Sequence, residues 1–369
     1  MKSIEKPIPP SLVRLVEPLL QWYKTEGRVL PWREKKDPYC IWVSEIMLQQ
    51  TRIETVKPYF ARFLSALPDV RALAMAPEDK LLKLWQGLGY YSRVRNMQKA
   101  ARQIMAGGGE FPHTAQELLK LPGIGEYTAG AIASIAFGEK APAVDGNVLR
   151  VLSRYLNSPE DIQKPAVRQQ ISSWLRQIYP DGQEGAFTQA LMELGEIVCL
   201  PGAALRCDGC PLRENCEGAR CQTAAALPNR APKKPQRLQP RTVLVLRCGE
   251  KAALRRRPEK GLLAGLWELP GVDGHCTKEE VRVLLSRWGL SPVSVEEAGE
   301  FTHVFSHIRW QMKGYLCRVE REEGEGLLWA DDKALRDKWA LPSAFSGFLP
   351  LLPGSEEREK TEKSRGKAE

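Results

Sequence analysis

Four cysteines lie close together in one short stretch of the sequence. Residues 199–216 read CLPGAALRCDGCPLRENC and contain Cys199, Cys207, Cys210 and Cys216, with the middle pair in a CxxC arrangement. Four thiolates at this density form the closed tetrahedral sulfur site that suits a zinc ion or an iron–sulfur cluster. The spacing alone does not choose between the two. The other five cysteines are scattered, and we expect them to fill small apolar positions.

A glutamate stands in an apolar stretch near the N-terminal end. The segment WVSEIMLQQTR places Glu45 between Trp42 and Met47 in a pattern with helical spacing. Burial penalises the charged form of a carboxyl group and raises its pKa, so such a residue can stay protonated near neutral pH and act as an acid. An exposed glutamate on an amphipathic helix is the ordinary alternative. The polar QQT that follows favours the functional interpretation.

A second carboxylate, Asp145, stands just before a helical pattern in PAVDGNVLRVLSRY. The backbone N–H groups of a first helical turn favour the ionised form of such a residue, and a plain helix N-cap is the more frequent explanation of an aspartate there. A protonated acid beside an ionised carboxylate is the pair that cleaves a glycosidic bond. One protonates the leaving group, and the other stabilises the oxocarbenium-like cation.

Residues 121–132, LPGIGEYTAGAI, predict a hairpin whose second helix starts directly after two glycines. Gly123 and Gly125 allow close approach of the backbone, and the N–H groups at the start of the following helix point at an anion. This turn therefore predicts a phosphate clamp. Tyr127 stands at its edge.

The rest of the chain divides by its periodicity. Residues 8–216 show helical spacing between Pro and Gly interruptions and predict an all-α domain that ends in the cysteine loop 199–216. Residues 217–240 are rich in Pro, Lys and Arg and predict an extended basic linker. Residues 241–350 alternate with period two around one helical stretch and predict an α+β domain, and 351–369 predict a disordered tail.

Composition narrows the functional class. The 369 residues suffice for two or three domains of ~100–200 residues each. The 54 Lys and Arg against 45 Asp and Glu give a net charge of +9, which favours a polyanionic partner such as nucleic acid. We find no signal peptide and no run near the ~18 apolar residues of a membrane span. We therefore expect a cytoplasmic protein with no membrane partner and with reduced cysteines.

Together these motifs resemble one family of repair enzymes. LPGIGEYTAG is similar to the helix-hairpin-helix of the base-excision DNA glycosylases, AVDGNV to their catalytic aspartate segment, and the cysteine loop to their iron–sulfur loop. PWR at 31–33, WVSEIMLQQTR at 42–52, GLGYYSRVRN at 87–96 and FSH at 305–307 resemble the MutY-type adenine DNA glycosylases. The resemblance covers the chain except its tail, and it implies a glycosylase domain followed by a Nudix-like domain.

The resemblance also implies a substrate and a reaction. Adenine mispaired with 8-oxoguanine, or with guanine, would be flipped out of duplex DNA, since its glycosidic bond is inaccessible inside the helix. Glu45 would protonate the adenine and later handle the water, and Asp145 would stabilise or transiently bond the sugar C1′. Tyr127 occupies the position where strand-cleaving relatives carry a lysine. A phenol forms no Schiff base, so we expect no AP lyase activity, and we expect Tyr127 to hydrogen-bond near Asp145.

Further positions are assigned by the same resemblance. The adenine pocket would be lined by Arg28, Trp32, Arg33, Leu48, Ile53 and Glu193. The base stack would receive Gln50, Leu88 and Tyr90. Other DNA contacts would come from Thr51, Gly123, Gly125 and Asn147. In the second domain, FTHVFSH would read the 8-oxoguanine, with Ser306 at its altered edge and with Thr302, His303, Phe305 and His307 around it.

The four cysteines would hold a [4Fe–4S] cluster, although the family's usual spacing has six residues between the first two and this chain has seven, LPGAALR. An extra residue in a surface loop costs little, so we expect the cluster to be retained. The insertion alters the loop through which Arg206 or Arg213 would reach DNA.

Other functions fit parts of the sequence. GLLAGLWELPG at 261–271 resembles a Nudix motif and suggests a nucleotide-pool hydrolase, but the helix that would hold magnesium reads VRVLLSRWGL and lacks the required glutamates. A non-catalytic iron–sulfur DNA-binding protein would not need Glu45 and Asp145 together, and Tyr127 opposes a bifunctional glycosylase–lyase. We therefore predict a monofunctional glycosylase that acts as a monomer on duplex DNA at the nucleoid.

Overall fold

The computed structural model describes residues 7–232 and 235–354, and the chain divides into two compact units. The first unit contains residues 7–75 and 93–232, and the second contains 76–92 and 235–354. The division does not follow the chain simply, because a short segment between two helices of the first unit belongs to the second.

The first unit is helical, as the periodicity predicts. Its helices are α1 Pro10–Arg14, α2 Val16–Glu26, α3 Pro38–Met47, α4 Ile53–Ala66, α5 Val70–Met75, α7 Ser92–Ala106, α8 Ala115–Leu118, α9 Glu126–Phe137, α10 Gly146–Tyr155, α11 Pro165–Ile178, α12 Glu184–Ile197 and α13 Glu217–Arg220. The core is built largely from α2, α10 and α12, whose fully buried residues include Leu19, Leu152 and Phe187. This packing places the ends of several helices around one cavity.

The second unit is an α+β structure, also as predicted. Its helices are α6 Glu78–Trp85, α14 Lys278–Arg287 and α15 Asp332–Asp337, and its strands are β1 Arg237–Cys248, β2 Lys251–Arg256, β3 Trp267–Glu268, β4 Gly271–Asp273, β5 Pro292–Val304, β6 Ile308–Val319 and β7 Leu327–Asp331. The sheet runs in the order β3-β2-β1-β6-β5, with β4 paired to β1 and β7 to β2. Strands β1 and β6 are parallel, and the other pairs are antiparallel.

Two apolar layers cover this sheet. Val281 and Leu285 of α14 pack with Leu244 and Leu246 of β1 on one face. On the other face, the 3₁₀ segment Ser343–Leu351 and α15 pack against Val243 and Val245 of the same strand. The alternation along β1 thus places successive side chains in different cores, which explains the continuous apolar run TVLVL.

Helix α6 is held in the second unit by polar contacts to backbone carbonyls. The ammonium group of Lys83 donates to the carbonyl oxygens of Leu335 and Trp339 at 3.3 and 3.2 Å. The side-chain amide of Gln86 donates to the carbonyl oxygen of Leu341 at 3.1 Å. Such long-range contacts leave no periodic signal, so the sequence placed this segment with its neighbours in the helical domain.

Two predicted boundaries differ from the structure. The linker predicted at 217–240 begins with α13, continues through the buried residues Ala224 and Leu227, and ends in β1 at Arg237. The carbonyl of Leu227 accepts a 2.9 Å hydrogen bond from Arg154, which fixes this stretch on the helical unit. The predicted tail begins too early because Leu352 is fully buried, and residues 355–369 lie outside the described residues. In the described part of the chain, we find no helix of the length and apolarity needed to cross a membrane.

Candidate active site

One cavity in the helical unit gathers most of the residues predicted to hold the substrate. Its volume is about 860 Å³, and its walls come from α3, α9, α10, α12 and the loops that precede α3 and α4. The predicted site residues in its lining are Trp32, Arg33, Glu45, Leu48, Gln50, Thr51, Ile53, Tyr127, Asp145, Asn147 and Glu193. Trp32 is buried and meets Phe60 edge-to-face at 5.4 Å, which fixes the indole.

Glu45 is a buried acid with a raised pKa. It lies on α3, which begins at Pro38 after the N-cap Asp37, and only 6% of the residue is exposed. Burial raises the pKa of Glu45 to about 7, a hydrogen bond from Tyr127 opposes the rise, and the charge of Asp145 adds to it. A substantial fraction of this carboxyl group therefore holds its proton at neutral pH.

The partner of Glu45 is the tyrosine of the hairpin. The hydroxyl of Tyr127 donates to Oε2 of Glu45 at 2.5 Å and lies 3.8 Å from the sulfur of Met192. Burial raises the pKa of Tyr127 well above its ordinary value, and the neighbouring charges of Glu45 and Asp145 raise it further. The phenol thus remains a donor, and its bond goes to Glu45 where we had predicted one near Asp145.

Asp145 is the N-cap of α10, which was the ordinary explanation of its position. Its Oδ1 accepts from the backbone N–H of Val148 at 2.7 Å, and its Oδ2 accepts from the amide of Asn147 at 3.0 Å. Burial outweighs the backbone N–H groups of Val148 and Asn147, so the pKa of Asp145 is raised, against the downward shift expected at a helix N-terminus. The cap and the cavity are compatible, since Asp145 still lines the pocket that contains Glu45.

A glycine on α9 brings Tyr127 and Asp145 to the same wall. A Cβ atom added to Gly130 would lie 2.3 Å from the carbonyl oxygen of Pro142, so α9 packs directly against the backbone that leads to Asp145. A larger residue would separate them. Gly130 was not singled out from the sequence, although a glycine inside an apolar helix is a known sign of close packing.

The cavity also holds a third carboxylate, Glu193, in an ionised state. Its Oε1 accepts from Nε of Arg28 at 2.6 Å, and its Oε2 accepts from Nη2 of Arg33 at 2.8 Å. Burial raises the pKa of Glu193, but the hydrogen bonds from Arg28 and Arg33 outweigh it, and the net shift is downward. Arg28 and Arg33, both predicted pocket residues, thus form a fixed charged group with Glu193.

The two hairpin glycines differ in conformation, since Gly123 is left-handed and Gly125 is extended. Gly123 has φ of 78°, and a Cβ atom there would lie 2.6 Å from Cβ of Asn96. Gly125 is the N-cap of α9, and an added Cβ atom would meet nothing within 4 Å. The start of α9 is therefore open at Gly125, where an anion could approach the backbone N–H groups.

The four predicted cysteine ligands line one small cavity beside α10 and α12. Arg154 and the apolar Val198, Leu205, Ala219 and Ala224 share its walls with the thiols. Nη1 of Arg154 donates to the sulfur of Cys199 at 3.3 Å, a contact suited to a thiolate ligand. Burial raises the pKa of Cys210 to about 12, so a bound metal centre would be needed to hold its thiolate form.

In the described residues, no group of three or more His, Cys, Asp or Glu side chains is arranged to hold a metal ion. The four thiols share one cavity, and their donor chemistry suits either a zinc ion or an iron–sulfur cluster.

Comparison with known proteins identifies the family. Residues 43–177 match the HhH-GPD superfamily of base excision DNA repair proteins, and residues 242–350 match the NUDIX domain. The adenine DNA glycosylase of Mus musculus is 37% identical over 363 residues, which cover 82% of this chain and 70% of the relative. The chain belongs to the adenine DNA glycosylase family.

Two further comparisons agree with membership in the adenine DNA glycosylase family. The Homo sapiens member is 36% identical over 82% of this chain, which spans 66% of that relative's length. A solved structure of a thermostable thymine-DNA glycosylase matches 57% of this chain and 97% of its own, with 27% identity and a TM-score of 0.52. The share of this chain that it covers agrees with the helical unit as the glycosylase part.

The three residues that the family resemblance assigns to the base stack differ in exposure. Gln50 and Tyr90 are exposed and adopt left-handed backbone conformations, with φ of 60° and 46°. Leu88 is buried, with 5% of its surface exposed. Strained, exposed side chains suit insertion between bases, whereas Leu88 would have to leave its apolar surroundings.

In this chain the FTHVFSH segment lies at the end of β5 and in the turn before β6. Ser306 and His307 are exposed, and the hydroxyl of Ser306 hydrogen-bonds that of Tyr90 within the second unit. Thr302 alternates with His303 along β5, so the two side chains point to opposite faces of the sheet. Thr302 therefore lies on the opposite face of β5 from His303.

Sequence reasoning missed a polar network behind Asp145. The amide of Asn147 also donates to Glu196 at 2.9 Å, and the guanidinium of Arg150 donates to Oδ1 of Asn147 and to the carbonyl of Cys199, both at 2.8 Å. An arginine inside an apolar helical pattern, as in NVLRVL, was the available signal. A buried arginine needs several acceptors, and such groups of acceptors are common behind functional sites.

Proposed function

We propose that this chain hydrolyses the N-glycosidic bond of adenine mispaired with 8-oxoguanine or guanine in duplex DNA. The observation that carries the proposal is the pairing of Glu45, an acid with a pKa of about 7, with Asp145 in one cavity of suitable size. The relatives are adenine DNA glycosylases, and the matching family is one of base excision DNA repair proteins.

In the proposed mechanism, the flipped adenine enters the cavity between Glu45 and the group formed by Arg28, Arg33 and Glu193. Glu45 donates its proton to the adenine ring, which makes the base a neutral leaving group. Asp145 stabilises the positive charge that develops at C1′ as the bond breaks. Glu45, now ionised, accepts a proton from the water that attacks C1′.

Tyr127 limits the reaction to base removal. Its hydroxyl fixes the orientation of Glu45 through the 2.5 Å hydrogen bond, and a phenol offers no amine that could attack C1′ and form an imine. The enzyme therefore releases adenine and leaves the strand intact. The open hairpin at Gly125 would hold a backbone phosphate beside the same cavity.

Further parts of the proposal concern the cofactor and the partner. Cys199, Cys207, Cys210 and Cys216 would hold a [4Fe–4S] cluster, which when bound would tie the loop 207–216 to the end of α12 at Cys199 and needs no role in bond cleavage. A monomer would act on chromosomal DNA at the nucleoid. An absorption band near 400 nm in the purified protein, roughly the thiolate-to-iron region, supports the cluster, and its absence favours zinc.

The decisive assay is single-turnover release of adenine from an A:8-oxoguanine duplex by wild type, Asp145→Asn and the exposed-site control Glu160→Gln. We expect wild-type rates in the control and a loss of about 10³-fold in Asp145→Asn. Rapid release by Asp145→Asn would refute the role of the carboxylate at C1′. Strand cleavage by wild type without added base would refute the monofunctional assignment.

A further inference from the structure

A group of charged side chains lies buried in the sheet of the second unit, close to the 303–307 turn. Glu268 of β3 is 2% exposed and Arg241 of β1 is 5% exposed. Oε2 of Glu268 lies 2.5 Å from Nη1 of Arg257 and 3.4 Å from Nη2 of Arg241, and Arg255 approaches Oε1 at 3.7 Å. Three guanidinium groups thus share one buried carboxylate.

The positive charge that Glu268 does not neutralise faces an indole ring. Cζ of Arg241 lies 4.3 Å from the ring centroid of Trp310, and Cζ of Arg257 lies 5.6 Å from it. Trp310 is 1% exposed, and a cation over an aromatic face is stabilised most strongly where water is excluded. Glu268 therefore fixes two arginines, and the arginines fix the plane of Trp310.

Trp310 in turn supports the aromatic residue of the turn. The rings of Phe305 and Trp310 meet edge-to-face, with centroids 4.9 Å apart and planes at 72°. His303, which pairs with Trp310 across β5 and β6, meets Phe305 edge-to-face, with ring centroids 4.6 Å apart. A continuous series of contacts thus leads from Glu268 in the core to the residues directly before Ser306.

The backbone of the turn is held from both sides. The N–H of Phe305 donates to the carbonyl of Ile308 at 2.8 Å, and the amide of Gln236 donates to the carbonyl of Phe305 at 2.9 Å. The indole N–H of Trp310 donates to Gln239 at 3.2 Å. These bonds and the ring contacts fix Phe305, the residue directly before Ser306, and the Ser306 hydroxyl itself hydrogen-bonds that of Tyr90.

We infer that Trp310, with Arg241, Arg257 and Glu268 behind it, positions the turn at residues 305–307, for which the family resemblance predicts contact with 8-oxoguanine. None of these four residues needs to touch the base, and they act through Phe305 on Ser306. The inference rests on the proposed function. It also gives a role to Glu268, which is the acidic residue of the GLLAGLWELPG motif and which is occupied by arginines.

The test compares Trp310→Leu, Arg241→Met and Trp310→Phe with wild type. Dissociation constants are measured on duplexes that carry a non-cleavable adenine analogue opposite 8-oxoguanine or opposite guanine, and single-turnover adenine release is measured with saturating enzyme. We expect the first two variants to weaken binding to the 8-oxoguanine duplex about tenfold and to the guanine duplex less than threefold. Release at saturation should stay within about twofold, and Trp310→Phe should recover most of the binding.

Two controls separate positioning from simple loss of stability. Trp339→Leu removes a buried aromatic residue of the same core, whose ring meets that of Trp267 at a tilt. Arg336→Met removes a partly exposed ion pair with Asp332. Both should keep the preference for 8-oxoguanine. If Trp310→Leu fails to fold, Arg241→Met decides.

Equal weakening on both duplexes, or unchanged binding in Trp310→Leu and Arg241→Met, would overturn the inference. A wild-type enzyme that binds the two duplexes equally would overturn it as well. A wild-type enzyme that releases no adenine would refute the proposed function itself, and the absence of release separates that failure from the others.

Discussion

The cavity contains two buried glutamates, Glu45 and Glu193, whose pKa values shift in opposite directions. Glu45 has one phenol as its hydrogen-bond donor, and burial raises its pKa to about 7. Glu193 is equally hidden from solvent, but Arg28 and Arg33 bind both of its oxygens and lower its pKa. Burial alone therefore does not make a catalytic acid. The charge of the hydrogen-bond partner determines whether a buried carboxyl group can deliver a proton.

The largest effect should come from removing the acid. Glu45→Gln keeps the shape of the side chain and a possible hydrogen bond with Tyr127 but has no proton to give. We expect single-turnover adenine release to fall by about 10³-fold, with the Glu160→Gln control unchanged. Release within tenfold of wild type would show that the raised pKa of Glu45, compared with that of Glu193, is not needed for catalysis.

The same substitution should increase stability at alkaline pH. The folded-state pKa of Glu45 is raised, so its contribution to stability is fully present below the unfolded pKa and is lost as pH rises through about 7. Glutamine has no such loss. Denaturant unfolding should show Glu45→Gln more stable than wild type by about 2–3 kcal/mol at pH 8, with little difference at pH 4. A gap that is independent of pH would contradict the raised pKa.

Loss of the negative charge on Glu193 should destabilise the protein. Glu193→Gln leaves Arg28 and Arg33 close together without their anion. Because both guanidinium groups keep some solvent contact, we expect the free energy of unfolding to fall by about 2 kcal/mol, less than for a fully buried pair. Urea unfolding at pH 7 measures the change, and a neutral result would show that the charge on Glu193 is not needed for folding.

The smallest effect concerns the pH profile of the rate. Adenine release should decline as pH rises through about 7, where Glu45 loses its proton. The bond from Tyr127 lowers the pKa of Glu45, so Tyr127→Phe should move this decline to higher pH, whereas the control Tyr59→Phe, at a partly exposed site on α4, should not. Single-turnover rates measured between about pH 5 and 9 test this shift. A decline at lower pH in Tyr127→Phe than in wild type would contradict the assigned hydrogen bond.

Much of this site could be predicted from short sequence patterns. Glu45, Asp145 and the hairpin glycines depend on local features, namely an apolar helix, a helix N-terminus and a turn, and such features are visible in sequence. The partner of Tyr127, the burial of Leu88 and the capture of Gln86 by the second unit depend on residues far along the chain. Those contacts follow from packing in three dimensions, which periodicity does not record.

The close contact of Gly130 with Pro142 restricts which mutations of the Gly130 codon the protein can tolerate. Every single-base change in the first two positions of a glycine codon adds at least one side-chain carbon atom or introduces a stop codon. Here the first added carbon atom would lie only 2.3 Å from the carbonyl oxygen of Pro142. Such a change would not touch the substrate. It would push α9, which carries Tyr127, away from the segment that leads from Pro142 to Asp145. Tyr127 and Asp145 would then no longer line the cavity together.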